Sequence, residues 1–260
     1  MPGHEDILIC DVADTGVAVV HLNRPEARNA LNLPLRTVMA DTFRKLQDDP
    51  AVRCVVIAGK GPCFAAGADL REAVEQGPRE IWAMEVLRHW RALAEFPKPL
   101  IAAVHGAALG GGCELAMHAD IIIVEEGARL GQPEVAVGIM PGGGATQRLM
   151  RAVGKFRAMP MMLTGDLITG KQAFEMGLAS EVVADGTALE HAVAMAERIA
   201  RRPPIAVRLT KEVALAGADA PLATGLMLER RAFELLFDTQ DQKEGMHAFL
   251  ERRTPVFKGQ

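Results

Sequence analysis

The sequence lacks tyrosine altogether and contains a single serine, Ser180. That serine lies in the segment GLASEVV and not in the G-x-S-x-G turn that presents a nucleophilic serine. A serine hydrolase would have no side chain with which to form an acyl-enzyme. This class of enzyme is therefore excluded.

An excess of positive charge is also missing. The 29 Lys and Arg residues are interspersed among 33 Asp and Glu, and the net charge is -4. Nucleic acid is not expected as a partner, because nothing resembles the basic footprint of a nucleic-acid binder. No apolar run reaches the roughly 18 residues that span a bilayer, and the start MPGHEDILICD is acidic where a signal peptide would be basic. We therefore expect a cytoplasmic protein without a membrane partner.

Metal-binding and nucleotide-binding patterns are not found either. The seven histidines show no H-x-H or H-E-x-x-H spacing, and we interpret His105 and His118 as packing or hydrogen-bonding residues. The four cysteines include no C-x-x-C pair, which agrees with a reducing compartment. The clusters GGGCEL and PGGGATQ lack the last glycine of G-x-G-x-x-G and the lysine of a phosphate-binding loop. We predict no metal and no separate cofactor.

Up to about residue 140 the sequence alternates β-branched apolar runs with helical stretches, which is typical of an α/β protein. The runs are ILICDV, GVAVVHLNR, AVRCVVIAG, KPLIAAVHG and DIIIVEE. The first clear helix should follow Asn32 and Pro34 and bury one face, formed by Leu35, Met39, Phe43 and Leu46. From about residue 146 helices follow one another, apart from the strand-like SEVVA.

Three glycines, residues 110–112, precede the acid Glu114 at the start of a predicted helix. Glycines let a ligand approach the backbone, and the unpaired N–H groups of a helix start stabilise a developing oxyanion. In the alternative reading the glycines pack against a neighbouring helix and Glu114 only complements the helix dipole. The residues alone leave both readings open. Cys113 between them is interpreted as a small buried thiol, because no histidine partner for a nucleophile is recognisable.

Two further segments carry features of a binding site. CFAAGADL, residues 63–70, follows a strand and offers a loop of small residues that can present its N–H groups. GQPEVAVGIMPGGG, residues 131–144, contains a second acid, Glu134, which could equally be a turn carboxylate after Pro133. Together with HLNRPEARNALN, LTGDLITGKQA and DQKEGMHAFLERRTPVFKG, these segments resemble the enoyl-CoA hydratase/isomerase family, the crotonases, over essentially the whole chain.

The resemblance implies an α/β architecture, the ClpP/crotonase-like fold of repeated β-β-α units. Residues 1–200 would form a spiral core with the catalytic site, and residues 201–260 a helical oligomerisation region. The resemblance also implies a homotrimer, commonly paired into a homohexamer.

The implied activity is the addition of water across the 2,3 double bond of a 2-trans-enoyl-CoA, giving a 3-hydroxyacyl-CoA. By the same resemblance, the N–H groups of Ala68 and Gly111 would bind the thioester oxygen, Glu114 and Glu134 would be the two catalytic acids, and Gly142 would help place the water. Possession of both acids favours hydration over isomerisation, in which relatives commonly rely on the acid at the position of Glu134. A non-catalytic binding protein of the same fold is a further alternative.

Coenzyme A would enter as part of the substrate. The positions that match the family's CoA track are Ala27, Ala66, Ala68, Asp69 and Leu70, followed by Arg71 near the phosphates. Phe249 and Arg252 match positions that reach the CoA of a neighbouring subunit, although Arg252 also reads as a solvated helix charge.

The chain departs from relatives at His105, Ala107, Gly143 and Ala145, where relatives often show Asn, Tyr, Ala and Gly. These departures should adjust pocket width and loop stiffness, and none removes a proposed catalytic group. Within the family, phrases such as VGIMPG and ERRTPVFKG look most like hydratases of 2,3-dehydroadipyl-CoA in phenylacetate degradation.

Overall fold

The computed structural model describes residues 7–260, apart from the side chain of residue 86. Residues 1–6, the first part of the acidic segment MPGHEDILICD, therefore lie outside the described residues. Among the described residues, no helix combines the length and the apolar character needed to cross a bilayer.

Two β-sheets form the centre of the described chain. The strands are β1 (Leu8–Val12), β2 (Val17–Leu22), β3 (Cys54–Gly59), β4 (Leu100–Val104), β5 (Ala107–Leu109), β6 (Ile121–Glu125), β7 (Arg129–Gly131), β8 (Ile168–Thr169) and β9 (Glu181–Val183). The larger sheet has the order β1-β2-β3-β4-β6-β9, and the smaller sheet has the order β5-β7-β8. In the larger sheet only β1 runs antiparallel to its neighbour.

The helices account for most of the remaining chain. They are α1 (Leu33–Asp48), α2 (Leu70–Ala73), α3 (Pro78–Ala83), α4 (Val86–Ala94), α5 (Gly111–Ala116), α6 (Ala145–Val153), α7 (Lys155–Thr164), α8 (Gly170–Glu175), α9 (Ala188–Ala200), α10 (Pro204–Ala218), α11 (Leu222–Leu236) and α12 (Gln240–Glu251). Short 3-10 turns occupy Pro25–Ala27 and Pro133–Val137.

In two successive strand pairs, the first strand lies in the larger sheet and the second lies in the smaller sheet. β4 and β6 lie in the larger sheet, and the strands that follow them, β5 and β7, lie in the smaller one. α5 follows the first pair, and the 3-10 turn Pro133–Val137 with α6 follows the second. This is the repeated β-β-α arrangement that the resemblance implies, and it places the ends of both pairs at one site.

The larger sheet is covered on both faces, as expected for parallel strands. In β3, Val55 and Ile57 belong to one apolar cluster, whereas Val56 and Ala58 belong to another. The first cluster contains the buried face of α1, and the second contains four alanines of α9 at four-residue spacing, which are Ala188, Ala192, Ala196 and Ala200. Small side chains on this stripe let α9 pack closely on the sheet.

The predicted elements of the first half are confirmed. The five apolar runs form β1, β2, β3, β4 and β6. α1 begins after Asn32, whose side chain accepts a hydrogen bond from the Leu35 N–H at 3.0 Å. The expected stripe of Leu35, Met39, Phe43 and Leu46 is buried.

The described chain contains three short strands that the sequence pattern does not indicate. SEVVA does form β9, but β8 also lies beyond residue 146, and the short strands β5 and β7 precede it. These three strands have two or three residues each, too few for an alternating pattern to emerge.

Candidate active site

The three glycines before Glu114 have different structural roles. Gly110 has φ +50° and precedes α5, so it adopts the left-handed region that side chains disfavour. A Cβ added at Gly112 would lie 2.1 Å from the carbonyl oxygen of Ala65, so α5 approaches the 63–70 loop at backbone distance. Gly112 therefore does pack closely, but against this loop and not against a neighbouring helix as the alternative had it.

Gly111 brings its backbone to the same loop at the level of Ala68. A Cβ added at Gly111 would lie 3.5 Å from the Ala68 nitrogen. Within residues 7–260, neither the Ala68 N–H nor the Gly111 N–H donates a hydrogen bond to the protein. The loop itself is tied down by the bonds from Leu31 N–H to Gly67 C=O at 2.7 Å and from Ala66 N–H to Arg28 C=O at 2.9 Å. Two N–H groups without protein acceptors are thus held side by side.

Glu114 lies in the first turn of α5 and is only 3% exposed. Its Oε1 atom accepts hydrogen bonds from the Gly143 N–H at 2.7 Å and the Ala145 N–H at 3.0 Å. Burial raises the pKa of Glu114, whereas these N–H groups and the nearby Arg148 oppose the rise because they favour the carboxylate. The side chain is therefore fixed by the loop that begins α6.

The carboxylate of Glu134, which belongs to the 3-10 turn Pro133–Val137, lies at the same site. Its Oε1 atom would lie 2.9 Å from a Cβ at Gly110, so the bare backbone at Gly110 makes room for this carboxylate. Burial, and then the charge of Glu114, raise the pKa of Glu134 to about 7. In the amide orientation that satisfies its hydrogen bonds, Gln132 turns its side-chain nitrogen to this carboxylate, 3.1 Å from Glu134 Oε1.

The glycines of the PGGGATQ turn complete the surroundings of Glu114. Gly142 is exposed, and a Cβ there would meet no atom within 4 Å. A Cβ at Gly143 would lie 2.6 Å from Glu114 Oε2 and 2.9 Å from Trp90 Cε2. The glycine at position 143 therefore leaves space for both the carboxylate and the indole ring.

Trp90 and His118 border this site and were not expected there. Their rings stack with centroids 5.0 Å apart, and His118 Nε2 lies 3.2 Å from the Gly143 carbonyl oxygen. His118 is a packing and hydrogen-bonding residue, as predicted. Its link to Glu114 through Gly143 was missed, although its position four residues after Glu114, in the turn that follows α5, was a usable signal.

Cys113 and His105 have roles in packing and hydrogen bonding. Cys113 is completely buried, which confirms the interpretation as a small buried thiol, and burial raises the pKa of this thiol to about 12. His105 Nε2 lies 3.0 Å from the Gly61 carbonyl oxygen. No cluster of three or more His, Cys, Asp or Glu side chains in the described part of the chain could hold a metal ion.

The residues expected along the CoA track form two groups. Ala27 lies in the 3-10 turn Pro25–Ala27, beside the loop that carries Ala66, Ala68, Asp69 and Leu70. Asp69 pairs with Arg24 at 3.2 Å and so ties this loop to that turn. Arg71 is exposed on α2 and makes no ion pair within the described residues.

Phe249 and Arg252 lie apart from these residues in the sequence, at the end of α12. Phe249 is 83% exposed, and Arg252 ends the helix in the left-handed conformation.

The described site thus combines two N–H donors without protein acceptors and two carboxylates in different surroundings. Such N–H groups stabilise negative charge that develops on an oxygen atom. Two carboxylates with different proton affinities can divide the removal and the delivery of a proton. The arrangement is suited to a reaction through an enolate.

The chain is similar to known proteins over nearly its whole length. A family model described as enoyl-CoA hydratase/isomerase matches residues 13–260. The chain is 44% identical over 243 residues to the 2,3-dehydroadipyl-CoA hydratase of Escherichia coli K12, covering 94% of this chain and 95% of the relative. It is 43% identical over 244 residues to a mitochondrial enoyl-CoA hydratase of Pongo abelii, covering 94% of this chain and 84% of the relative.

Solved structures are similar over the same extent. The crystal structure of an enoyl-CoA hydratase from Bacillus anthracis has a TM-score of 0.94 at 38% identity, covering 98% of this chain and 100% of that one. The crystal structure of an enoyl-CoA hydratase from Mycobacterium tuberculosis H37Rv has a TM-score of 0.91 at 34% identity, with the same shares covered.

Proposed function

The chain belongs to the enoyl-CoA hydratase/isomerase family, the crotonases, and from this premise we propose that it adds water across the 2,3 double bond of a 2-trans-enoyl-CoA. The product is a 3-hydroxyacyl-CoA, and the enzyme is a hydro-lyase. The observation that carries the proposal is the presence of both Glu114 and Glu134 beside the two free N–H groups of Ala68 and Gly111.

The thioester carbonyl oxygen binds to the N–H groups of Ala68 and Gly111. This polarises the conjugated system, makes C3 electrophilic and stabilises the enolate charge that builds on the oxygen. In comparable sites the loss of one such donor costs about 3 kcal/mol.

Glu114 takes a proton from water as the water attacks C3, and Glu134 delivers a proton to C2. The surroundings of the two acids support this division. Glu114 Oε1 accepts two backbone N–H bonds that favour its carboxylate, whereas burial raises the pKa of Glu134 to about 7, so that a large fraction of Glu134 is protonated near neutrality. Gly142, with open space around it, helps to place the water.

CoA lies along the track of Ala27, Ala66, Ala68, Asp69 and Leu70, with Arg71 near the phosphates. The exposure of Arg71 and its lack of an ion pair within the described residues support its assignment to an anionic group. Phe249 and Arg252 reach the CoA of a neighbouring subunit in a homotrimer or homohexamer, in which residues 201–260 form the oligomerisation region.

Absorbance of the conjugated thioester band tests the activity. Purified protein should remove this absorbance from crotonyl-CoA, whereas a variant with both Glu114→Gln and Glu134→Gln should not. An isomerase would instead generate the band from a 3-enoyl-CoA and leave crotonyl-CoA unchanged. A non-catalytic binding protein would alter neither substrate, and either of these results would refute the proposed hydration.

The substrate we propose is 2,3-dehydroadipyl-CoA, with general short-chain hydration as the runner-up. Phrases such as VGIMPG and ERRTPVFKG and the name of the Escherichia coli relative support it. The sequence identity to the Pongo abelii enoyl-CoA hydratase is nearly the same, so kinetic measurements must distinguish the two substrates. Values of kcat/KM for 2,3-dehydroadipyl-CoA, crotonyl-CoA and a C8 enoyl-CoA decide it, and a clear preference for the uncharged chains would reject the dicarboxylate substrate.

A further inference from the structure

His118 is a buried titratable residue that the proposed chemistry does not use. It is 8% exposed and follows α5, four residues after Glu114. Its Nε2 atom lies 3.2 Å from the Gly143 carbonyl oxygen, and its ring stacks on Trp90 at an angle of 10°. The side chain thus touches the glycine turn that holds the catalytic carboxylate.

The contacts of the His118 ring determine where its hydrogen lies. A carbonyl oxygen only accepts hydrogen bonds, so Nε2 must carry the hydrogen that it donates to Gly143. Nδ1 is buried and has no partner among the described residues, and in a neutral ring with its hydrogen on Nε2 it carries none. Burial, and then the positive charge of Arg148, lower the pKa of His118 to about 4 and keep the ring neutral.

The glycine turn needs a restraint of this kind. Residues 142–144 are three successive glycines, whose backbone has more conformational freedom than any other residue type. Gly143 accepts from His118 through its carbonyl group and donates through its N–H to Glu114 Oε1 at 2.7 Å. The N–H and the C=O of Gly143 belong to the two peptide groups on either side of its Cα atom. A hydrogen bond that fixes the carbonyl group therefore also limits the direction in which the N–H points.

We propose that His118 is a positioning residue whose Nε2–H bond to the Gly143 carbonyl holds the glycine turn where the Gly143 N–H donates to Glu114. The inference rests on the proposed hydration, because it concerns the carboxylate that acts on water. A carboxylate that is already held in the reactive geometry loses little further conformational freedom on reaching the transition state, which lowers the activation free energy.

Two substitutions separate the donor from the ring. His118→Phe keeps a ring against Trp90 and removes the donor, whereas His118→Gln keeps an amide N–H near the position of Nε2 and removes the ring. His21→Phe is the matched control, because His21 lies on β2, is 7% exposed and also has an unpaired buried Nδ1. His118→Met is a second variant without a donor, in case the phenyl ring does not fit.

The expected result for His118→Phe is a kcat about threefold to tenfold lower with KM nearly unchanged, the range expected for one hydrogen bond. The acid limb of kcat/KM should also move to higher pH, because the Gly143 N–H lowers the pKa of Glu114 and its displacement raises it. The charged groups facing this pair are Arg148 and Glu134, which are unchanged in the variants. His118→Gln should restore most of kcat, and His21→Phe should show neither effect.

Several outcomes would overturn the proposal. They are wild-type kcat and an unshifted acid limb in a folded His118→Phe or His118→Met variant, equal impairment of His118→Gln, and loss of folding in both variants without a donor. The last would assign His118 to the core and not to the turn.

A readout that does not depend on activity keeps this inference separate from the proposed function. In protein labelled with 15N-histidine, nuclear magnetic resonance at about pH 6, below the usual histidine pKa, should show His118 neutral with its hydrogen on Nε2. A charged ring, or a hydrogen on Nδ1, would refute the bond to Gly143. Failure of the wild-type protein to hydrate any enoyl-CoA would refute the hydratase function, and the spectrum would still decide whether this bond exists.

Discussion

At the scale of single residues, Glu114 and Glu134 occupy different surroundings within one site. We expect Glu114→Gln and Glu134→Gln each to lower kcat by at least about 10²-fold, the usual cost of losing a general acid or base, with much smaller changes in KM. Steady-state kinetics with crotonyl-CoA measure both constants. Glu175→Gln, on the exposed surface of α8, is the control and should retain wild-type values.

The double variant adds a test of shared function. Two residues acting on one water should give losses that are not additive, so the double variant should lose much less than the product of the two single effects. A single variant that retained most of its hydratase activity would remove that acid from the mechanism.

The raised pKa of Glu134 predicts a pH dependence. If Glu134 gives the proton to C2, it must be protonated in the free enzyme, and this fraction falls as the pH rises through about 7. A plot of kcat/KM against pH should therefore show a basic limb with a midpoint near 7, and the limb should be lost from the residual activity of Glu134→Gln. A profile without any decline in the alkaline range would exclude Glu134 as the donor.

At the scale of elements, the contact between α5 and the 63–70 loop positions the two N–H donors. Gly112→Ala would place a methyl group 2.1 Å from the Ala65 carbonyl oxygen, a backbone atom that cannot move aside as a flexible side chain could. We expect the helix to shift, with a loss of about 1–3 kcal/mol of stability, typical of overpacking, and a fall in kcat as Gly111 moves relative to Ala68. Thermal unfolding and kinetics measure the two effects.

Gly217→Ala provides the comparison for this substitution. Gly217 lies within α10, and the nearest atom to an added Cβ is Gly225 Cα at 3.7 Å, an ordinary contact. Alanine is favoured over glycine in a helix by about 0.5–1 kcal/mol, so the melting temperature should stay constant or rise. Equal melting temperatures for Gly112→Ala and the wild type would show that α5 tolerates a side chain at this contact.

At the scale of the whole molecule, the C-terminal helices expose more apolar surface than a monomer usually does. α10 and α11 contain no buried residue, and on α11 the side chains of Leu222, Leu226 and Phe233 are 77%, 52% and 59% exposed. We expect a mass of three or six times 27.9 kDa in light scattering at micromolar concentration. Phe233→Asp should reduce this mass, since burying an unpaired charge in an interface is costly.

Glu229→Ala on the same helix is exposed and serves as the control. A wild-type mass near 27.9 kDa would contradict the trimer. It would also contradict the proposed role of Phe249 and Arg252 at a neighbour's CoA.

The local sequence was sufficient to predict the elements whose pattern depends on residue spacing within one helix or strand. The Asn32 cap and the stripe from Leu35 to Leu46 predict α1, because both depend on the spacing of residues along one helix. The longer strands β2, β3, β4 and β6 are also evident, since their β-branched runs reflect burial on both faces of a sheet. The motifs around Ala68, Glu114 and Glu134 also indicated the family, while the roles of these residues stay predictions.

Tertiary structure alone decided the features that depend on contacts between distant segments. Strands β5, β7 and β8 are too short to carry a pattern, and they exist because neighbouring segments supply their hydrogen bonds. Gly112 faces Ala65, and His118 faces Gly143, across separations that no periodicity encodes. The sequence contained the glycines and the acid, but only folding determined which glycine packs, which one frees its N–H, and which histidine holds the turn.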